Sequence, residues 1–494
     1  MMINQRTPDF TDTPASSRRP RFSYIAEPGR EPLVSIITAY GTDGDAFQET
    51  ARAVERMSVP YWEWLIVVDG GAPIETPRHL TELAEREPRA RVIQQARHAP
   101  GAAHTRAVAE ARAPYLLYLD AGDLVEPTFV EKALWFLATQ PRFAACDSYS
   151  VAFGGTNQLC PRSFHEREPS DEQGMTFPLL IRRDACENLC GQDDRTDTRL
   201  RRMLAEAGMW SYTLPEYLTW SRTQARSSLS VTTTGGARTP AFRAGPRAKQ
   251  PTVADPLARR EPSLATASPF LNPLPKPAGK KRLLLVAPWL AMGWADKFNL
   301  DLIAQLAARD YECTVVTTAW SEDAWLDQFA ALTPDIFRLH RFLTWAEYPR
   351  FIDYLIASRE CDALLISSSE LGYELLPYLR SRHPNLPILD FTHMEEEAWR
   401  NGGYPAISVA AGSLLDRRLV CSEQLRAWEI ERGAPAETTH TIYCGTDTTA
   451  WHPDREDTAG ARARIGVGPE TPLILFAGRM VEQKRPQLVG EILL

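Results

Sequence analysis

Three stretches decide the fold: VSIITAY at residues 34–40, WEWLIVVD at 62–69 and YLLYLD at 115–120. Each is a short β-rich run of the length of a buried strand. Segments of helical spacing lie between them, DAFQETARAVERM at 45–57 and GAAHTRAVAEAR at 101–112, with a further strand-like run, RVIQQA, at 91–96. Strands alternating with helices predict an α/β unit with a mostly parallel sheet, covered on both faces. The pattern continues to about Arg222, with helices near FVEKALWFLAT (129–139) and TRLRRMLAEAG (198–208).

Outward from this unit the composition changes. Residues 1–31 are polar and lack periodicity, and read as a disordered arm. Residues 223–280 are rich in Ser, Thr, Pro and Gly and strongly basic, and read as a flexible linker. From Lys281 the alternation resumes: KRLLLVAP is strand-like, FNLDLIAQLAARD is amphipathic, and further strand-like runs follow at CTVVTT, ALLIS, PILDF, RLVCS and HTIYC. This predicts a second doubly wound sheet over 281–447. Beyond a connector, PLILFAGR (472–479) reads as the first strand of a third α/β unit that the 494 residues do not complete.

With a net charge of −8, bulk charge does not drive nucleic-acid binding. No apolar run approaches the ~18 residues of a membrane span, and the amino terminus has no signal-like apolar core. Eight scattered cysteines suit a reduced, cytoplasmic protein. The basic linker offers peripheral contact with the inner membrane face.

In open α/β sheets, ligands sit outside the carboxyl ends of the strands. In the first unit those ends carry Tyr40, Asp69, Asp120 and Asp123. An aromatic ring can stack a base, and a carboxylate can accept from a uracil N–H or a ribose hydroxyl. Asp120 and Asp123 are candidate ligands of Mg²⁺ or Mn²⁺ bridging a diphosphate. In the second unit Gly293 opens a helix whose N-terminus could approach a phosphate or sugar. His393 follows a strand end beside Glu395, Glu396 and Glu397, while Arg479 and Lys484 could clamp a diphosphate. Neither first strand is followed by the Gly-rich fingerprint of dinucleotide enzymes, which argues against redox chemistry.

VSIITAYGTDGDAFQETARAV, WEWLIVVDGGA, GAAHTRAVAEARAPYLLYLDAGDLVEP and TDTRLRRMLAEAG resemble family 2 glycosyltransferases of the GT-A fold over about residues 33–222. The resemblance implies that Tyr40 and Asp69 cradle the nucleoside, that Asp120 begins an Asp-X-Asp element, and that Asp197 is the catalytic base. It implies a UDP-sugar donor, a divalent cation, and a glycan or lipid-linked acceptor. The sequence departs from the family at Gly122, where the second Asp would stand, at Gly70, at His104–Ala107 and at Thr196. A nucleotide- or glycan-binding module without catalysis therefore stands as the alternative.

MGWADKFNLDLIAQLAARDYECTVVTT, ILDFTHMEEEAW, YCGTDTTAW and FAGRMVEQKRP resemble family 4 glycosyltransferases of the GT-B fold. That resemblance implies a Rossmann-like GT-B N-terminal domain and the first strand of a second Rossmann-like half, with metal-free, retaining transfer. Gly293 would lie on the acceptor-side loop, His393 would be the site-facing, catalytic candidate, and Arg479 and Lys484 the diphosphate clamp. Trp294 stands where a second glycine is common and is expected to narrow that loop. The joint reading is a bifunctional transferase of cell-surface polysaccharide assembly, its two sites joined by the linker.

Overall fold

A computed structural model describes residues 22–40, 44–69, 77–95, 102–155, 158–161, 178–189, 204, 207–223, 267–452, 458–478, 480 and 484–493. The chain divides into two units, Met1–Ile442 and Tyr443–Leu494.

The first unit holds two sheets. The described strands of the first run β3-β2-β1-β4-β8-β6-β9-β5, with β7 (Gln158–Cys160) pairing β6. Its expected part is present: β1 (Val34–Tyr40), β2 (Trp62–Asp69), β3 (Ala90–Gln95) and β4 (Tyr115–Tyr118) pair in parallel. Helices α1 (Gly44–Glu55), α2 (Arg78–Arg86) and α3 (Ala102–Glu110) intervene. Buried polar groups between these strands are satisfied by neighbouring side chains and backbone carbonyls. The Trp64 indole N–H donates to Thr38 Oγ1 at 2.8 Å, and that hydroxyl donates to the Leu119 carbonyl at 2.7 Å.

The other half departs from the mostly parallel expectation. β8 (Leu179–Arg182) runs antiparallel to β4 and to β6 (Phe143–Gly154). β9 (Trp210–Thr223) lies parallel to β6 and antiparallel to the short β5 (Leu124–Val125). β9 contains Pro215, which cannot donate to a ladder, and the β6–β9 register breaks there.

The second sheet is parallel throughout, in the order β12-β11-β10-β13-β14-β15-β16, with β15 at Arg417–Val420 and β16 at Thr439–Thr441. Its centre is β10 (Lys281–Ala287), between β11 (Tyr311–Thr317) and β13 (Ala363–Ser367); β12 is Ile336–Arg338 and β14 is Ile388–Thr392. The strands follow the apolar runs of the sequence because a parallel sheet buried on both faces needs continuous Val, Ile and Leu.

The two sheets are not tethered modules. Trp135, on α4 (Phe129–Thr139), meets Phe351 and Tyr354 edge-to-face at 4.9 and 5.1 Å. One hydrophobic cluster takes in residues of both sheets. Residues assigned to the arm and linker fill this seam. Phe22 is buried beneath the Arg282 guanidinium, and Tyr24 donates to Asp335 at 3.0 Å. Asn272 donates to the Ser58 carbonyl at 2.9 Å, and Leu274 is buried. Thus Phe22 to Glu31 and residues 267–280 pack against both sheets, where an unstructured arm and spacer were expected. Apolar side chains at Phe22, Phe270 and Leu274 supply what the average composition of those segments concealed. Residues 224–266 lie outside the described residues.

In the second unit, PLILFAGR does not form its expected strand. Residues 472–477 carry no ladder, and Leu473, Ile474 and Leu475 are exposed. A strand needs a neighbour to satisfy its backbone, and no described residue pairs with this segment. Among the described residues, no helix is long and apolar enough to cross a membrane.

Candidate functional site

The parallel register brings the carboxyl ends of β2, β1 and β4 to one edge of the first sheet. Tyr40 pairs with Val68, next to Asp69, and Ile37 pairs with Tyr118, two residues before Asp120. Asp69 ends β2, but its side chain lies outside the described residues, as does the whole of Asp197.

Tyr40 does not offer an open stacking face. It is 8% exposed, lies edge-on to Phe47 at 5.4 Å, and its hydroxyl meets His79 Nε2 at 2.9 Å. His79, on α2, therefore belongs to this rim, although no motif marked it.

Asp120 is half-buried at the turn after β4, and its carbonyl accepts the Asp123 N–H at 3.0 Å. The turn is pinned by Thr50 of α1. Thr50 Oγ1 accepts the Gly122 N–H at 2.8 Å and donates to the Asp123 carbonyl at 2.9 Å. Gly122 has φ +99°, which L side chains avoid. A Cβ there would meet Arg222 Cδ at 3.2 Å and Ala46 Cβ at 3.3 Å. The backbone thus explains why no second carboxylate of an Asp-X-Asp element stands at 122.

Asp123 does not take its place. It is buried, and its Oδ1 accepts the Arg222 backbone N–H at 2.9 Å. Arg222 in turn pairs with Glu49 and lies over Phe153 at 4.6 Å. Of the two expected metal ligands, Asp120 is thus a half-buried rim carboxylate and Asp123 a buried one whose Oδ1 is held by the Arg222 N–H. Among the described residues no cluster of three His, Cys, Asp or Glu could hold a metal ion. The described rim therefore does not by itself fit a resident divalent cation.

The carboxyl edge of the second sheet forms another rim. Gly293 caps the helix Trp294–Ala307 with extended backbone that any residue adopts, so positive φ is not what selects glycine. Space is: a Cβ would meet Asp296 Oδ2 at 3.1 Å. Burial lifts the Asp296 carboxyl to about 7, against backbone N–H groups that lower it, with Asp323 adding to the rise. Trp294 is 63% exposed, so its ring stands in solvent rather than closing the loop.

His393 follows β14, packed against Phe391 at 4.7 Å and Phe298 at 5.7 Å. Burial draws its imidazole down to about 4, so it is neutral near pH 7. Both of its ring nitrogens are buried without a hydrogen-bond partner. So are Thr317 Oγ1 at the end of β11, Ser367 Oγ at the end of β13, and Asn299 Oδ1 on the helix. Orphaned buried polar atoms are costly, and this edge collects four such residues. The sequence reading found Gly293 and His393 but not Asn299, Thr317 or Ser367, which carry no motif. Lys484 is exposed in the second unit, and Arg479 lies outside the described residues.

Residues 35–193 match the family model described as "Glycosyl transferase family 2". The O-antigen biosynthesis protein RfbC of Myxococcus xanthus is 35% identical over 123 residues, 24% of this chain. The match spans 10% of that relative's length. Among solved structures, the mannosyltransferase PcManGT from Pyrobaculum calidifontis, in complex with GDP-Man and Mn²⁺, is 16% identical with a TM-score of 0.30. It covers 42% of this chain and 61% of that one. S. aureus TarS in complex with UDP-GlcNAc is 13% identical with a TM-score of 0.31, covering 39% and 58%.

Proposed function

We propose that the first sheet is a glycosyltransferase of polysaccharide biosynthesis, taking a nucleotide-sugar donor at the rim of Asp69, Tyr40 and Asp120. The family match over residues 35–193 supports the class. The observation that carries the site is the shared register of β2, β1 and β4, which puts their carboxyl ends at one edge inside that segment.

The reaction in this reading is a single displacement with inversion. An acceptor hydroxyl attacks the anomeric carbon, the bond to the nucleoside diphosphate breaks, and Asp197 takes the hydroxyl proton. His79 holds Tyr40 by its hydroxyl, and Asp120 accepts from the donor. The donor is a UDP-sugar and the acceptor a glycan or lipid-linked glycan, with the protein cytoplasmic and touching the inner membrane face. The second sheet is read as a metal-free family 4 module, with Gly293 and His393 on its rim and Arg479 and Lys484 as its diphosphate clamp. The four residues with orphaned buried polar atoms support ligand binding there.

The second reading is binding without transfer at the first rim. It is favoured by Gly122 and by the engagement of Asp123 with Arg222.

The experiment is donor hydrolysis and transfer by the whole chain, over a panel of UDP-, GDP- and TDP-sugars, with and without Mn²⁺. Turnover lost in Asp120→Ala and Asp197→Ala is expected. Nucleotide binding without turnover in any condition would favour the second reading. Turnover that survives both substitutions would remove the site.

A further inference from the structure

The register of β9 breaks where its sequence turns polar. Ser148 pairs with Leu214 and Tyr149 with Tyr217, leaving Pro215 and Glu216 unmatched. Such a bulge re-aims a side chain. Here Glu216 is buried in the seam between the sheets, where its Oε2 accepts from Lys132 Nζ at 2.9 Å. The same oxygen accepts from Arg338 Nε at 3.2 Å and Nη2 at 3.0 Å. Arg338, at the carboxyl end of β12, donates its third nitrogen to Asp323 Oδ2 at 3.1 Å. Asp323 Oδ1 accepts the Leu290 N–H at 3.1 Å, and the Leu290 carbonyl accepts the Trp325 N–H at 3.0 Å. Lys132, Glu216, Arg338 and Asp323 are all buried. An unbroken line of charge-assisted bonds therefore runs from the first sheet to the loop 288–293 that leads into Gly293.

The other end of β9 braces the first rim. Trp220 and Thr219 pair with Leu124 and Val125, and the Arg222 N–H holds Asp123. Six residue steps of one strand, about 20 Å of extended chain, lead from the brace of one rim at Arg222 to the brace of the other at Glu216.

We propose that Glu216 is a positioning residue: through Arg338 and Asp323 it sets the 288–293 loop from the first sheet, so that the two rims stand in a fixed relation along β9. This goes beyond the proposed transfer activity and holds whatever ligand each rim takes. A purely packing role could be filled by an apolar side chain. Buried charge costs desolvation and is best kept where it specifies one arrangement.

The test is hydrogen exchange on the whole chain, comparing wild type with Glu216→Gln. Amides of 289–293 are expected to exchange at least about tenfold faster, with β1 unchanged. Unaltered protection of 289–293 would overturn the proposal. So would an acceleration common to all segments, which reports lost stability rather than positioning. The double variant Glu216→Gln/Asp323→Asn distinguishes a relay from two separate supports. A relay predicts no further acceleration over Asp323→Asn alone, and multiplicative effects would overturn it. Should Glu216→Gln yield no folded chain, Glu216→Asp, one methylene shorter, is expected to accelerate the same loop alone. No effect of that variant on the loop would count against the proposal.

Discussion

Arg359 grips Glu131 with two nitrogens, at 2.6 and 2.7 Å, and both side chains are wholly buried. The pair joins α4 under the first sheet to the helix Tyr348–Ser358 of the second, because Arg359 is that helix's C-cap. Arg359 also bonds Asp335 at 2.8 Å, so one guanidinium serves two carboxylates. Removing it would leave both charges buried and uncompensated. Arg359→Met is expected to destabilise the chain by about 3–5 kcal/mol. The check is the denaturant midpoint followed by fluorescence. Because the seam is shared, the described parts of both sheets should lose protection together.

Glu216 predicts the acid side of stability. Burial alone would raise its carboxyl, but Arg338 and Lys132 together hold it at about 2. Its contribution is therefore present above the ordinary glutamate value near 4.5 and is lost as pH falls toward about 2. Acid unfolding of wild type against Glu216→Gln should show the gap between them narrowing over that window.

Glu429 predicts the opposite slope. Burial, reinforced by Asp390, lifts it to about 8, and burial lifts Asp390 to about 6. A carboxyl raised in the folded state favours folding below its unfolded value, and that support fades as pH rises through the folded one. Thermal midpoints should therefore fall for wild type between pH 5 and 8 (about the span of the two shifted groups). Glu429→Gln should flatten that fall.

Asp120 and Asp123 should separate cleanly. Asp123→Ala strips a buried acceptor from the Arg222 N–H and is expected to cost about 1–3 kcal/mol. Asp120→Ala, on the half-buried rim, is expected to leave stability within about 0.5 kcal/mol while abolishing turnover. Urea titration and a donor-hydrolysis assay on the same two proteins check both halves.

Gly122→Asp restores the letter of an Asp-X-Asp element but not its function. At φ +99°, with Arg222 and Ala46 within 3.3 Å of a Cβ, the new side chain is strained and crowded. A loss of about 1–3 kcal/mol, without gain in Mn²⁺-dependent turnover, is expected from melting curves and the same assay.

The sequence by itself determined where the parallel strands β1 to β4 of the first sheet and most strands of the second lie, but not the strands beyond β4 that complete the first sheet. Buried parallel strands demand unbroken apolar runs, and VSIITAY, WEWLIVVD and KRLLLVA are such runs. It also marked Asp120 and His393 at strand ends, because in such a sheet position along the strand is position at the edge. Only the tertiary structure decided which way the acids turn. Asp123 faces a backbone N–H that lies 99 residues away in the chain, and Glu216 meets an arginine 122 residues away. Local spacing records the period of a strand, but a buried charge is placed by a partner that the fold alone brings near. The same holds for Phe22 and Leu274, whose polar surroundings in sequence hid the seam they fill.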